Sequence, residues 1–171
     1  IVRKHMLVFS TETSCDETSI CLMKDREILE HFVFSQDIHA KFGGVVPELA
    51  SRSHLEKLQE ITRFLLNKSK IKLSEIDFFS ATCGPGLIGS LLVGSTFTKA
   101  LALSLRKPFI PINHLEGHVL STSYNNNILY PHLVLLQLED TLKYILWKMI
   151  KKSFYLVKLW MMLLVKHLIK Q

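Results

Sequence analysis

The stretch MLVFSTETSCDETSICLM at residues 6–23 consists of two short apolar runs on either side of a polar segment. Residues 6–10 and 19–23 have the length and apolar content of β-strands, so residues 11–18 are predicted to form the turn of a hairpin. Such a turn gathers hydroxyls, backbone amides and carboxylates at one tip, and these groups suit a nucleotide phosphate with its magnesium ion. A polar turn on its own is more often only a turn.

Further apolar runs alternate with helical patterns along the chain. The runs at 28–34, 76–83 and 108–113 predict three more strands. Pro47 suits the first turn of a helix that runs to about Lys68. Its predicted apolar stripe consists of Leu55, Leu58, Ile61 and Leu65. A small-residue helix is predicted over residues 90–105, and this alternation predicts an α/β lobe.

Glycine-rich stretches precede both predicted helices. Gly43 and Gly44 free the backbone before the first helix. The stretch CGPGLIGS at residues 83–90 predicts a tight turn that lets a ligand or another backbone segment approach closely. The helix that follows presents free N–H groups to an anion at its N-terminus. The stretch matches neither the dinucleotide-binding nor the P-loop pattern, so it is a weak signal alone.

The stretch HLEGH at residues 114–118 carries two histidines four residues apart. On a helix this spacing places both rings on one face, where a single metal ion can bridge them. The pair directly follows the predicted strand at 108–113, and the junction of a strand and a helix is a common place for α/β active sites. Two solvated histidines at a loop edge remain the simpler alternative. Metalloprotease chemistry is weakened because no glutamate directly follows His114.

Taken together and in order, the stretches TETSCDET, GGVVPELASRSH, GPGLIGSLLVG and NHLEGH resemble the TsaD family, formerly called O-sialoglycoprotein endopeptidases. The resemblance covers residues 6–136 and implies an actin/Hsp70-like (ASKHA) fold, of which this chain holds the ribonuclease-H-like first lobe, truncated before the second. It implies transfer of threonylcarbamoyl from threonylcarbamoyl-adenylate to N6 of the tRNA adenosine beside the anticodon. A metallopeptidase and a non-catalytic partner-binding lobe are the alternatives.

The resemblance also implies roles for individual residues. His114 and His118 match the family's histidine ligands for one divalent metal, iron or zinc, and the third ligand is an aspartate far downstream that is absent here. The family's nucleotide-contacting loop, for an adenylate or ATP-type nucleotide, matches a polar set: Thr11, Glu12, Ser14, Asp16 and Glu17. No catalytic residue is assigned. Because the family's active site lies between two lobes, the chain as written is not expected to transfer threonylcarbamoyl.

Partners and location follow from the same resemblance. It implies tRNA, threonylcarbamoyl-adenylate, a paralogous partner subunit and an accessory ATPase, without a membrane. Three cysteines without paired spacing fit a reducing compartment, so the cytoplasm is expected, with the mitochondrial matrix as the alternative. The net charge of +6 says little about tRNA, since residues 137–171 contribute +5 of it.

Residues 137–171 depart from the family. Instead of a strand ending in SGGHT and a later DDAxGEAFDK, this tail has seven lysines and neither glycine nor proline. Its leucine, lysine and methionine content favours a helix. We interpret the tail as the family's gene translated in the wrong frame, so that the family lobe ends at residue 136.

The genetic code supports the frameshift interpretation. In the alternative frame each codon joins the last base of one codon to the first two bases of the next. The run WMM at residues 160–162 then forces two aspartates, and residues 160–170 permit DDAVGEAFDK. Residues 138–144 likewise permit GGHTQI. Two family motifs lie in one shifted frame and in the right order, and sequencing the DNA around codon 137 is the direct check.

Overall fold

The computed structural model describes residues 5–25 and 27–121, together with the backbone of two strands at 132–138 and 141–147. Residues 5–121 contain a five-stranded sheet in the order β3-β2-β1-β4-β5. Its strands are β1 (Leu7–Glu12), β2 (Glu17–Lys24), β3 (Glu27–Ser35), β4 (Phe78–Gly84) and β5 (Phe109–Asn113). The first three form an antiparallel meander, and β4 and β5 run parallel to β1. The predicted ribonuclease-H-like order is confirmed.

Three helices accompany the sheet in this part of the chain: α1 (Pro47–Ser69), α2 (Ile88–Ser104) and α3 (His114–Ser121). Pro47 lies in the first turn of α1, as predicted, because a residue there needs no N–H donor. The helix α2 begins two residues before the predicted start and connects the parallel strands β4 and β5. Short 3-10 turns occur at Asp37–Phe42 and Leu73–Glu75.

The core lies between the sheet and the helices α1 and α2. Phe9 of β1 and Phe79 of β4 are neighbours in the parallel register, and their ring centroids are 5.7 Å apart. They belong to a buried apolar cluster that also contains Ile20, Leu22, Leu58, Ile61, Leu65, Ile76 and Ala102. Burying side chains of this size stabilises a fold by about 1.5–3 kcal/mol each, which makes the cluster the rigid base of the sites described below.

The predicted apolar stripe of α1 is wrong at one position. Leu58, Ile61 and Leu65 are buried as expected, whereas Leu55 is 69% exposed. His54 occupies the buried position instead, one helical turn before Leu58. The periodicity alone could not separate these neighbours, because Leu55 also fits an i, i+3 pattern with Leu58.

The hairpin turn is shorter than predicted. The strands β1 and β2 pair as far as Glu12 and Ser19, and β2 begins at Glu17, so that only residues 13–16 remain for the turn. Thr11, Glu12 and Glu17 therefore belong to strands. Their side chains are polar, but pairing with a neighbouring strand gives hydrogen-bond partners to their backbone N–H and C=O groups. The strands therefore extend beyond their apolar parts.

Residues 132–147 include an antiparallel pair of strands, β6 (His132–Leu138) and β7 (Thr141–Trp147). Leu138 pairs with Thr141, so the connection is two residues long. The helix expected in the tail is wrong over β7, where four of the seven residues are the β-favouring Thr141, Tyr144, Ile145 and Trp147. Residues 148–171 lie outside the described part, and the boundary at residue 136 stays a prediction.

Membrane-spanning helices were not expected. Within the described residues, no helix combines the length and apolar character needed to cross a bilayer.

Candidate metal centre and hairpin tip

The two histidines lie at the junction of a strand and a helix. Asn113 ends β5, and its side-chain oxygen Oδ1 accepts hydrogen bonds from the backbone N–H of Leu115 and of Glu116, at 2.9 and 3.2 Å. This is the geometry of a helix N-cap, which satisfies two of the N–H groups left free at a helix start. The cap fixes the beginning of α3 at His114, and His118 follows one turn later on the same face.

The rings of His114 and His118 face each other with their Nε2 atoms. Their Nε2 atoms are 3.0 Å apart, and the ring planes are inclined at 82°. Two nitrogen ligands of a tetrahedral zinc ion lie about 3.3 Å apart, given Zn–N bonds of about 2.0–2.1 Å. Two lone pairs at such a distance repel unless a proton or a cation lies between them. The pair therefore fits a metal, although the described residues bring no third histidine, cysteine, aspartate or glutamate to a shared site.

Glu12 lies on the far side of the His114 ring. Its side chain is 1% exposed, and Oε2 is 3.4 Å from Nδ1 of His114. The hydroxyl of Thr82 on β4 donates to the same Oε2, while the backbone N–H of Ser14 donates to Oε1 at 2.5 Å. Within the described residues, Nδ1 of His114 makes no hydrogen bond that meets the usual geometric limits, and it faces Glu12 across this 3.4 Å gap. Two donors thus hold one buried carboxylate beside the His114 ring.

The protonation of the centre follows from this arrangement. Burial alone would raise the pKa of Glu12, but the electrostatic interaction with His114 and the hydrogen bonds from Ser14 and Thr82 lower it below its ordinary value. Burial, together with repulsion from His114, lowers the pKa of His118 to about 4. At neutral pH the centre therefore contains an ionised Glu12 and a neutral His118, which is the state that binds metals.

The hairpin tip, residues 13–16, packs closely on the glycine-rich segment between β4 and α2. The backbone N–H of Leu87 donates to the carbonyl of Ser14 at 2.8 Å, and a Cβ on Gly86 would come within 2.6 Å of that carbonyl. Further along α2, a Cβ on Gly94 would lie 2.1 Å from the hydroxyl oxygen of Thr13. The close approach that the glycines predicted is therefore made by the protein's own hairpin.

His54 supports the tip from the opposite side. It is fully buried; its Nε2 donates to the carbonyl of Cys15 at 3.0 Å, and its Nδ1 accepts from the hydroxyl of Thr18 at 2.7 Å. Gln36 lies 3.4 Å from the same Nδ1 and also accepts a 2.9 Å hydrogen bond from Nε2 of His39. This network joins the first helix and the loop before it to the turn of the hairpin.

The residues matched to the nucleotide loop fall into two groups. Thr11 and Glu12 are almost fully buried, and the hydroxyl of Thr11 lies 2.6 Å from that of Thr98 on α2. Asp16 and Glu17 are partly exposed, whereas Ser14 at the turn is buried. Burial raises the pKa of Glu17, and the nearby charges of Asp16 and Glu12 raise it further. The hydrogen bond from Ser35 lowers this pKa but does not outweigh these effects. The structure thus brings Glu12 to the histidines rather than to the exposed tip.

Sequence reasoning missed four residues of this region. Thr82 contacts the hairpin from the neighbouring strand and gave no local signal, whereas Gly94, which contacts it from α2, ends the quoted stretch GPGLIGSLLVG but was assigned no role. Asn113 precedes a helix and is a favoured N-cap residue, so its role could have been predicted. His54 ends the quoted stretch GGVVPELASRSH, but the predicted apolar stripe assigned the buried position to Leu55 instead.

A sequence model of the family TsaD: tRNA N6-adenosine threonylcarbamoyltransferase matches residues 27–137. The chain belongs to the TsaD family. The match includes the histidine pair and the loop that leads to His54, whereas the tail from residue 138 onward lies outside it.

Curated relatives agree with the family match. A tRNA N6-adenosine threonylcarbamoyltransferase from Pelagibacter ubique is 48% identical over 141 residues, covering 79% of this chain and 40% of the relative. Proteins of the same name from Rickettsia canadensis and Caldicellulosiruptor saccharolyticus are 50% and 52% identical over 75% of this chain and 38% of their own length. The chain therefore spans about two fifths of the length of these TsaD relatives.

The fold also matches a solved structure. YeaZ from Pseudomonas aeruginosa superimposes with a TM-score of 0.56, at 16% identity, over 82% of this chain and 64% of that protein. At this identity the likeness concerns the fold alone. It agrees with the α/β, actin/Hsp70-like first lobe that the TsaD resemblance implied.

Proposed function

We propose that this chain is the first lobe of a tRNA N6-adenosine threonylcarbamoyltransferase. Completed by a second lobe, it would transfer threonylcarbamoyl from threonylcarbamoyl-adenylate to N6 of the adenosine beside the anticodon. The observation that carries the proposal is the pair of Nε2 atoms of His114 and His118, which face each other at 3.0 Å in a chain of the TsaD family. We expect the enzyme to act in the cytoplasm.

The histidine pair is the proposed site of one divalent metal, iron or zinc. Nε2 of His114 and Nε2 of His118 would hold it, and the low pKa of His118 supports this because a neutral imidazole is required. A metal of this kind supplies a positive charge that binds and polarises a phosphate or carbonyl oxygen. The protein contributes the capped helix that fixes the spacing of the two rings.

The hairpin tip is the proposed contact for the adenylate or ATP-type nucleotide. Asp16 and Glu17 are its partly exposed carboxylates, whereas the side chain of Ser14 at the turn is buried. Thr11 and Glu12 are too deeply buried to share this role, so they support the tip from beneath. The hydrogen bonds to Leu87 and His54 hold the turn in one conformation, which favours binding of a ligand by a preformed loop.

A surface on α1 and α2 is the proposed contact for the paralogous partner subunit. The two helices approach closely at Ser51 and Gly89, where an added Cβ would lie 2.4 Å from the serine hydroxyl oxygen. Within about one turn of this point, Leu55, Ile88 and Leu92 are 69%, 78% and 58% exposed. Clustered exposed apolar side chains are typical of protein interaction sites. A lobe that only binds a partner is the second candidate function for the chain as it stands.

A chimera tests the proposed activity. Residues 1–136 joined to the second lobe of the Pelagibacter ubique relative should modify tRNA when adenylate, partner subunit and accessory ATPase are supplied. His114→Ala in this chimera should lower the rate more than about 100-fold, since changes around metal ligands alone cost 10–100-fold. Modified adenosine is measured by mass spectrometry of digested tRNA. A folded chimera that stays inactive, beside an active parent enzyme, would contradict the proposal.

Metal titration tests the centre directly. Zinc or cobalt(II) should bind the full 171-residue chain one to one, with an affinity weaker than nanomolar because two histidines leave at least two of a zinc ion's tetrahedral positions to water. His114→Ala or His118→Ala should abolish this binding, measured by calorimetry or by the cobalt absorption spectrum. His5→Ala, which removes an exposed histidine at the start of the sheet, is the matched control. Sub-nanomolar affinity, or binding unchanged in both variants, would show that other residues hold the metal.

A further inference from the structure

The position of Glu12 suggests a role that differs from the nucleotide contact expected for it. Its carboxylate is buried, is directed at the side of the His114 ring opposite to His118, and lies on a strand behind the exposed tip. A nucleotide at the tip could reach it only by displacing buried groups. The contacts of Glu12 are therefore those of a residue that acts through another side chain.

We infer that Glu12 is a positioning residue that keeps the ring proton of His114 on Nδ1 and so leaves Nε2 unprotonated, facing His118. The inference rests on the proposed metal centre. A histidine that binds a metal through one nitrogen commonly directs its other N–H to a carboxylate, which sets the ring orientation and the tautomer. Here the carboxylate oxygen is 3.4 Å from Nδ1, and that nitrogen has no other polar partner among the described residues.

The environment of the carboxylate makes this assignment specific. The backbone N–H of Ser14 and the hydroxyl of Thr82 each donate to Glu12, so its two oxygens are held in place by two different segments. Thr82 lies on β4, seventy residues from Glu12. A carboxylate anchored in this way cannot rotate to follow the imidazole, so the imidazole has to orient toward it. The hairpin, the neighbouring strand and the metal centre are thereby joined through one side chain.

The variant Glu12→Gln gives a directional test. Its amide has one oxygen, and the fixed N–H of Ser14 requires that oxygen as an acceptor. The NH₂ group would then face His114 and Thr82. The hydroxyl of Thr82 can rotate to accept, but His114 can accept at Nδ1 only if its proton moves to Nε2. In this variant the nitrogen needed for the metal therefore carries the proton.

The experiment uses the full 171-residue chain with ¹⁵N-labelled histidine. Long-range ¹H–¹⁵N correlation spectra of the metal-free protein at pH 7.5 should show the Nδ1–H tautomer at His114, and the Nε2–H tautomer should increase in Glu12→Gln. Cobalt(II) affinity should fall 10–100-fold in the same variant, as for other changes of this kind. Glu12→Asp, which keeps the charge but withdraws it by one methylene, should fall between the two.

Asp77→Asn is the matched control. Asp77 accepts from the backbone N–H of Leu7 at the opposite end of β1, so this change is chemically the same but remote from the histidines. It should leave tautomer and affinity unchanged. An Nε2–H tautomer at His114 in the wild type, or a folded Glu12→Gln protein with unaltered tautomer, would overturn the inference. An Nδ1–H tautomer without any cobalt binding would support the positioning by Glu12 and refute the metal centre itself.

Discussion

Replacing Gly94 by alanine is expected to lower the free energy of unfolding by about 2–4 kcal/mol. The added methyl group would lie 2.1 Å from the hydroxyl oxygen of Thr13 and 3.0 Å from its methyl carbon. Thr13 cannot turn aside freely, because its hydroxyl donates to the carbonyl of Ser90 at 2.8 Å. The clash therefore either breaks this hydrogen bond or pushes the hairpin tip away from α2. Chemical denaturation of the full chain measures the loss.

Two further variants show whether the clash with Thr13 is the cause. In the double variant Gly94→Ala/Thr13→Ala the hydroxyl and methyl are gone, and the remaining Cβ contact is 3.1 Å, so the loss should be smaller than the sum of the single losses. Gly44→Ala serves as the control, since nothing lies within 4 Å of its added Cβ and a glycine-to-alanine change there should be neutral or slightly stabilising. Additive losses in the double variant would show that Gly94 acts in some other way.

Replacing His54 by alanine should lower the free energy of unfolding by about 3–5 kcal/mol. The change leaves a cavity and removes the partners of the Cys15 carbonyl and the Thr18 hydroxyl, both of which bond the ring at 3.0 Å or less. We also expect faster amide hydrogen exchange at residues 13–16, because the turn loses its support from α1. His5→Ala, at an exposed position, should change stability by no more than about 0.5 kcal/mol.

The lowered pKa of His54 predicts how the free energy of unfolding depends on pH. Burial lowers the pKa of His54, and this outweighs the hydrogen bond to Cys15, which raises it. At a mildly acidic pH the folded protein therefore keeps His54 neutral, whereas the unfolded chain takes up a proton. Stability should therefore be constant above the ordinary histidine pKa of about 6.5 and decrease as the pH falls below it. His118 adds to this decrease, as its pKa is lowered to about 4. A pH slope that is as steep in His54→Ala as in the wild type would exclude His54 as a source.

Local patterns predicted the elements well because they depend on short stretches of chain. All five strands and both long helices were expected from apolar runs, from Pro47 and from the glycine segments, and their ends were off by a few residues. The spacing of His114 and His118 already implied one helical face, and Asn113 makes that helix begin where the spacing requires. The hairpin turn was predicted too long because polar residues continue into β1 and β2.

Such local patterns could not predict contacts between segments that are distant in the sequence. The motif around Glu12 placed it in a nucleotide loop, whereas its position on β1 directs it to His114 and Thr82. That pairing depends on the register of β1 with β4, and a slip of one residue would turn the side chain to the other face of the sheet.

The α/β lobe, the order of its elements, the histidine pair and the resemblance to the TsaD family could all be predicted from the sequence, since each of these depends on local periodicity or on short motifs. Three features required the packed structure: His54 is buried while Leu55 is exposed, α2 approaches the hairpin through Gly94, and Glu12 lies behind His114. Burial and hydrogen-bond partners depend on how strands and helices pack across the core. Segments that pack together there lie far apart in the chain, so local sequence patterns do not predict their contacts.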